Sequence, residues 1–170
     1  MSLGGLQPMA TLRWLEDTAF SDWVLTSTIG FPLMLSLHAV GMAIAVGLIV
    51  VLDLRLLGAF DAISYSFLRR ALILSWTGFI INFVSGLALF APRGVEYVGD
   101  PAFLSKIFLI SLGVAVTARL QGLLSRRPSV WDTGAPVRHG CQAWAVVSIL
   151  IWFGAITSGR LIAYVDSWTI

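Results

Sequence analysis

The chain has 170 residues, 58% of them hydrophobic and 12% charged, with a mean hydropathy of +0.88. That composition excludes an ordinary soluble domain, and the length leaves no room for one beside several membrane spans. A net charge of +2 gives no strong pull toward an acidic partner, and the single Cys141 excludes an intramolecular disulfide and a thiolate metal cluster.

Residues 1–10 form a short, glycine-containing lead-in with no lysine or arginine before Arg13 and no cleavable apolar core, so no signal peptide is expected. Over residues 11–23, TLRWLEDTAFSDW places Leu12, Leu15, Ala19 and Trp23 on one stripe. The pattern predicts a helix lying in the membrane interface, anchored by Trp14 and Trp23.

The run from Val24 to Leu52, VLTSTIGFPLMLSLHAVGMAIAVGLIVVL, has no charge between Asp22 and Asp53. It exceeds the roughly 20 apolar residues that a helix needs to cross a bilayer, and His38 sits near its middle. On a helical wheel His38 shares a face with Met34, Gly41, Met42, Ala45 and Ile49. Small residues at Gly41 and Ala45 let another helix, or a flat ligand, approach beside the imidazole. An ionisable side chain at that depth marks a candidate functional site.

A polar connector, DLRLLGAFDAISYSFLRR, follows with Gly58 as a helix stop. The second span covers residues 71–91, with Ser75, Gly78, Asn82, Ser85 and Gly86 on a packing face and Ile80, Phe83 and Leu87 toward lipid. After the turn-rich RGVEYVGDPAF comes the third span, 103–124, whose charged ends, Lys106 and Arg119, can snorkel. A basic connector leads to the fourth span, 141–162, where Thr157, Arg160 and Tyr164 share a face.

Connectors one and three hold Arg55, Arg69, Arg70, Arg119, Arg126, Arg127 and Arg138, whereas Arg13, Arg93, Lys106 and Arg160 lie with most of the acids at the other end. The positive-inside rule therefore predicts both termini on the periplasmic side of a bacterial inner membrane. Four antiparallel spans with short loops predict an all-α architecture, a four-helix membrane bundle with an N-terminal interfacial helix. Asp and Glu read as confined to connectors and ends, which argues against a proton relay through acids. No GxGxxG, Walker or HExxH pattern occurs, no nucleic acid is expected, and anionic lipid is a sufficient partner for the basic connector.

The segments LHAVGMAIAVGLIVVLDLRLLG, TGFIINFVSGLALFAP with FLSKIFLI, and SGRLIAY, together with the opening WLEDTAFSDW, resemble a family of uncharacterised four-helix bacterial membrane proteins, classed as a domain of unknown function. That resemblance covers nearly the whole chain and implies the fold without an activity. A looser similarity, carried by His38, Thr77-Gly78 and Lys106, is to copper-resistance D-type membrane proteins and to haem-binding protoporphyrinogen oxidases. It implies His38 as an axial ligand to a b-type haem, but outside those positions the sequence departs from the oxidase pattern.

His38 has two readings, a haem ligand or a neutral imidazole hydrogen-bonded to Asn82 or Ser85 across a helix interface. The candidate cofactor site is His38, Gly41, Ala45, Asn82, Arg93, Lys106, Arg160 and Tyr164, with His38 on the metal and the cations toward haem propionates. His139 lies at a different depth and is not expected on the same iron. The expected role is electron transfer or redox chemistry beside a quinone or a periplasmic redox partner. A non-catalytic subunit scaffolding a membrane complex is the alternative, and copper handling or transport ranks third.

Overall fold

The computed structural model describes residues 6–60, 62–126 and 139–165. All regular structure among them is helical: α1 (Leu6–Glu16), α2 (Ala19–Thr26), α3 (Gly30–Leu56), α4 (Tyr65–Phe90), a 3-10 turn (Ala91–Arg93), α5 (Gly94–Gly99), α6 (Pro101–Arg126) and α7 (His139–Val165). Four of these helices are long and apolar enough to cross a membrane, which makes this a multi-pass, all-α membrane bundle. Apolar side chains such as Ile80, Phe83, Leu87, Phe108 and Leu150 stay more than half exposed, as lipid-facing groups do.

The chain enters the bundle through two short helices, where the stripe over 11–23 predicts one. The break is chemical: Thr18 accepts a hydrogen bond from the Ser21 N–H at 3.3 Å, and its own hydroxyl donates to the Leu15 carbonyl at 2.8 Å. That is an N-cap, and it restarts the helix in a new direction. A second break at Ser27–Ile29 divides the predicted run that begins at Val24. Ser27 Oγ accepts from the N–H groups of both Ile29 and Gly30 at 3.2 Å, so α3 begins at Gly30.

The other boundaries follow from similar local chemistry. Gly58, at φ 97°, closes α3, and the Ala59 N–H reaches back to the Leu54 carbonyl at 2.9 Å. Ser64 caps α4 through the Phe67 N–H, and Asp100 Oδ1 caps α6 through the Ala102 N–H, with Pro101 as the first helical residue. The spans are longer than their apolar runs. In particular, α3 continues past Leu52 to Leu56 and carries Asp53 into the bundle.

Successive spans are antiparallel. One end of the bundle therefore carries Arg55, Arg69 and Arg126 (the arginine end), and the other carries the N-terminal helices and the α4–α6 turn (the arm end). Two tight pairs, α3 with α4 and α6 with α7, meet mainly along α3 and α7. The first pair crosses where a Cβ on Gly41 would come within 2.5 Å of Asn82 N, and one on Gly78 within 2.8 Å of Ala45 N. In the second pair Gly113 faces the Trp152 ring.

The continuous core lies toward the arginine end and includes Leu52, Leu56, Leu68, Leu72, Leu120, Leu124 and Ala145. Toward the arm end Phe90, Tyr97 and Phe103 stack at 5.4–6.2 Å, and Glu16 accepts the Val95 N–H at 2.9 Å, tying α1 to the turn. Between this cap and the core the two helix pairs stand apart, and a cleft remains.

Candidate functional site

His38 is the ninth residue of α3, so it lies about 12 Å along the helix from Gly30. Its backbone is bound to α4 as firmly as its ring. Asn82 Nδ2 donates to the His38 carbonyl at 2.7 Å, and His38 Nδ1 stands 2.9 Å from the Asn82 carbonyl oxygen. A carbonyl can only accept, so Nδ1 carries a proton, and in the neutral form of the ring Nε2 keeps its lone pair. Ser85 Oγ lies 3.4 Å from Nδ1 while donating to the Ile81 carbonyl at 2.6 Å, which steadies the same edge of the ring. Gly86 supplies the space: a Cβ there would sit 3.1 Å from His38 Cε1.

The His38 side chain also borders a narrow cleft between the helix pairs. Its walls are Met42, Ala45, Val46, Phe79, Ile110, Trp152, Ala155 and Ile156, and its polar groups are His38, Asn82 and Lys106. No protein group accepts or donates at Nε2 among the described residues. A small number of polar groups in an apolar hollow is the usual make-up of a ligand site. An imidazole fixed by an Nδ1–H bond to a backbone carbonyl, with Nε2 left open, is the usual presentation of a metal-binding histidine.

The fit to haem can be judged from these side chains. The donor and its orientation fit, and the aromatic walls Phe79 and Trp152 suit a flat apolar macrocycle. Among the described residues no three His, Cys, Asp or Glu side chains cluster. Of the residues that line the cleft, His38 is the one His, Cys, Asp or Glu side chain and would hold the iron.

The chain matches no family model, no curated protein and no solved structure.

The structure brings together only part of the residue set read from the sequence. His38, Ala45, Asn82 and Lys106 line the cleft. Gly41 does not face it; it is spent on the close crossing with α4. Lys106 turns inward rather than out to the interface, into room left by Gly159, where a Cβ would stand 3.4 Å from Nζ. Arg93 and Arg160 are exposed at the arm end, and Thr77 is exposed on α4 with its hydroxyl toward the Ile73 carbonyl. The side chains of Tyr164 and His139 lie outside the described residues.

Sequence reasoning passed over Phe79 and Trp152 as cleft walls. Its larger omission was Asp53. The reading that acids stay in connectors and ends is corrected here: Asp53 is fully buried in the last turn of α3, beside the equally buried Ser148. The spacing His38, Met42, Ala45, Ile49, Asp53, in steps of three and four, was the available signal.

Proposed function

We propose that this protein is a bacterial inner-membrane haem-binding protein in which His38 Nε2 takes the iron of a b-type haem, serving electron transfer or redox chemistry. The observation that carries the proposal is the held imidazole beside an apolar cleft, with Nδ1 committed to the Asn82 carbonyl and no protein partner at Nε2 among the described residues. Haem would supply a one-electron iron couple there. The chain's own residues orient the ligand (Asn82, Ser85), exclude water (Phe79, Trp152, Ile156) and offer a cation, Lys106, to a propionate. Arg93 and Arg160 stand at the same end for the outer edge of such a group.

The arginine end faces the cytoplasm in this reading, by the positive-inside rule, and both termini are periplasmic. The cleft then lies in the periplasmic half of the bundle, within reach of a quinone in the bilayer or of a periplasmic redox partner. A difference spectrum of purified protein, reduced against oxidised, tests the proposal. A Soret band with α/β bands, lost in His38→Ala while the helix content stays, is the expected result.

One observation favours a second reading. The paired bonds between His38 and Asn82, beside the Gly41–Gly78 crossing, clasp α3 to α4 by themselves. A non-catalytic subunit that scaffolds a membrane complex needs no more of His38 than that. A colourless, well-folded protein from haem-replete cells would select this reading.

A further inference from the structure

Beyond the His38 cleft, the bundle holds a line of polar groups that its helices leave unmatched. Both carboxylate oxygens of Asp53, the hydroxyls of Ser148 and Thr117, and the indole N–H of Trp152 are buried without a hydrogen-bond partner among the described residues. Asp53 and Ser148 have no exposed surface, Thr117 has 2% and Trp152 4%. Buried polar groups in native proteins are nearly always paired, so four unmatched residues in one bundle call for a physical reason.

Their order along the bundle supplies one. Asp53 is about 22 Å along α3 from His38, toward the arginine end, with the buried Ser148 side chain beside it. One turn beyond Ser148 on α7 is Trp152. It borders a small gap with Thr117 and Ser75, and it also lines the His38–Lys106 cleft. The unmatched groups thus run in sequence from Asp53 to the cleft. A water that bridges such groups needs two to four polar partners to settle in a core.

The carboxyl itself is placed to hold a proton. It has no ion pair among the described residues. Of the cations at its end, Arg55 donates to the Ile63 carbonyl at 2.8 Å and lies over the Tyr65 ring, and the buried Arg69 Nε has no partner. Asp53 also sits near the C-terminus of α3, where the helix dipole opposes an anion. A carboxyl so placed has an O–H to give and an oxygen lone pair to take a proton back.

We propose that Asp53 and this column form a proton path between the arginine end and the His38–Lys106 cleft. The Asp53 acid releases its proton up the column through bound water, and the carboxylate left behind takes another from the aqueous side at the arginine end. One proton moves per cycle, and only bonds to hydrogen break and form. The path uses the membrane-spanning fold but not the haem.

Full-length protein in lipid vesicles tests it, with a pH-sensitive dye inside and a potassium gradient plus valinomycin as the driving potential. Wild-type vesicles should show a proton flux several-fold above protein-free vesicles. Asp53→Asn and Thr117→Val should return it to background, while Ser111→Ala, at an exposed hydroxyl on α6, should leave it unchanged. Should Asp53→Asn fail to fold, Thr117→Val and Ser148→Ala give the same reading with little change of shape. Wild-type flux at background, or equal flux in wild type and Thr117→Val, overturns the proposal. A coloured but proton-tight protein refutes this path alone, and a colourless protein that conducts refutes the haem alone.

Discussion

Gly41→Ala adds a single methyl group at the point where α3 and α4 come closest. The new Cβ would lie 2.5 Å from Asn82 N, 2.8 Å from Gly78 O and 3.0 Å from Asn82 Cα, all of them backbone atoms that cannot swing aside. An ordinary contact begins at 3.4 Å, so the two helices must part by about 0.9 Å, enough to forfeit a quarter to a half of each dispersion contact along the crossing. The same movement carries the His38 Nδ1 bond, now 2.9 Å, past hydrogen-bond range and strains the 2.7 Å bond from Asn82. Overpacking of this kind costs about 1–3 kcal/mol, and interhelical hydrogen bonds in membranes average about 0.6 kcal/mol each. The expected loss is about 2–4 kcal/mol. Gly47→Ala is the control, because nothing lies within 4 Å of its Cβ position and helix propensity favours alanine. Thermal or denaturant unfolding in detergent, followed by circular dichroism, measures both. Equal stability of the two variants would refute the crossing as the organising contact of α3 and α4.

Gly86→Leu should destabilise the detergent-solubilised protein far more than Leu87→Ala, because Gly86 faces the His38 ring and Leu87 is 52% exposed. Equal tolerance of both would contradict the assigned faces of α4. Thr18→Ala removes the cap of α2 and should cost about 0.5–2 kcal/mol, seen as earlier fraying of the N-terminal helices in hydrogen exchange. Glu16→Ala releases the Val95 N–H and should speed proteolysis before Thr26 without changing the melting of the spans. Reporter fusions after Arg127 should score cytoplasmic and fusions at the C-terminus periplasmic; the reverse would place the His38 cleft on the cytoplasmic side.

The spans were legible because a bilayer-crossing helix announces itself by length and apolarity, and the loops by glycine, proline and asparagine or aspartate. The lipid face of α4 was legible too, since Ile80, Phe83 and Leu87 fall opposite Ser75, Gly78 and Ser85 on a wheel, and their exposure follows. The pairing of His38 with Asn82 was open to inference as an interhelical bond, but its use of two backbone carbonyls was not, because that depends on the depth at which the helices cross. Gly41 was read as room for a ligand, whereas the nearness of Gly78 turned it into room for a helix. Asp53 was hidden by its place in the chain. It is the first charge after a long apolar run, and such a charge reads as the exit from the membrane. Only the further turn to Leu56 and the packing of α7 carry it inside. Lys106 was read as a snorkelling residue, and the space that draws it inward is made by Gly159 on a helix more than 50 residues away.

The central claim concerns the open nitrogen of His38, and one measurement meets it directly. Protein purified from haem-replete cells is examined by visible absorption, oxidised and reduced, beside His38→Ala prepared in the same way. The account predicts a Soret band and reduced α/β bands in the wild type, absent from a His38→Ala variant that remains inserted and helical. A wild-type protein that is folded and colourless, or a His38→Ala protein with an unchanged spectrum, would contradict it.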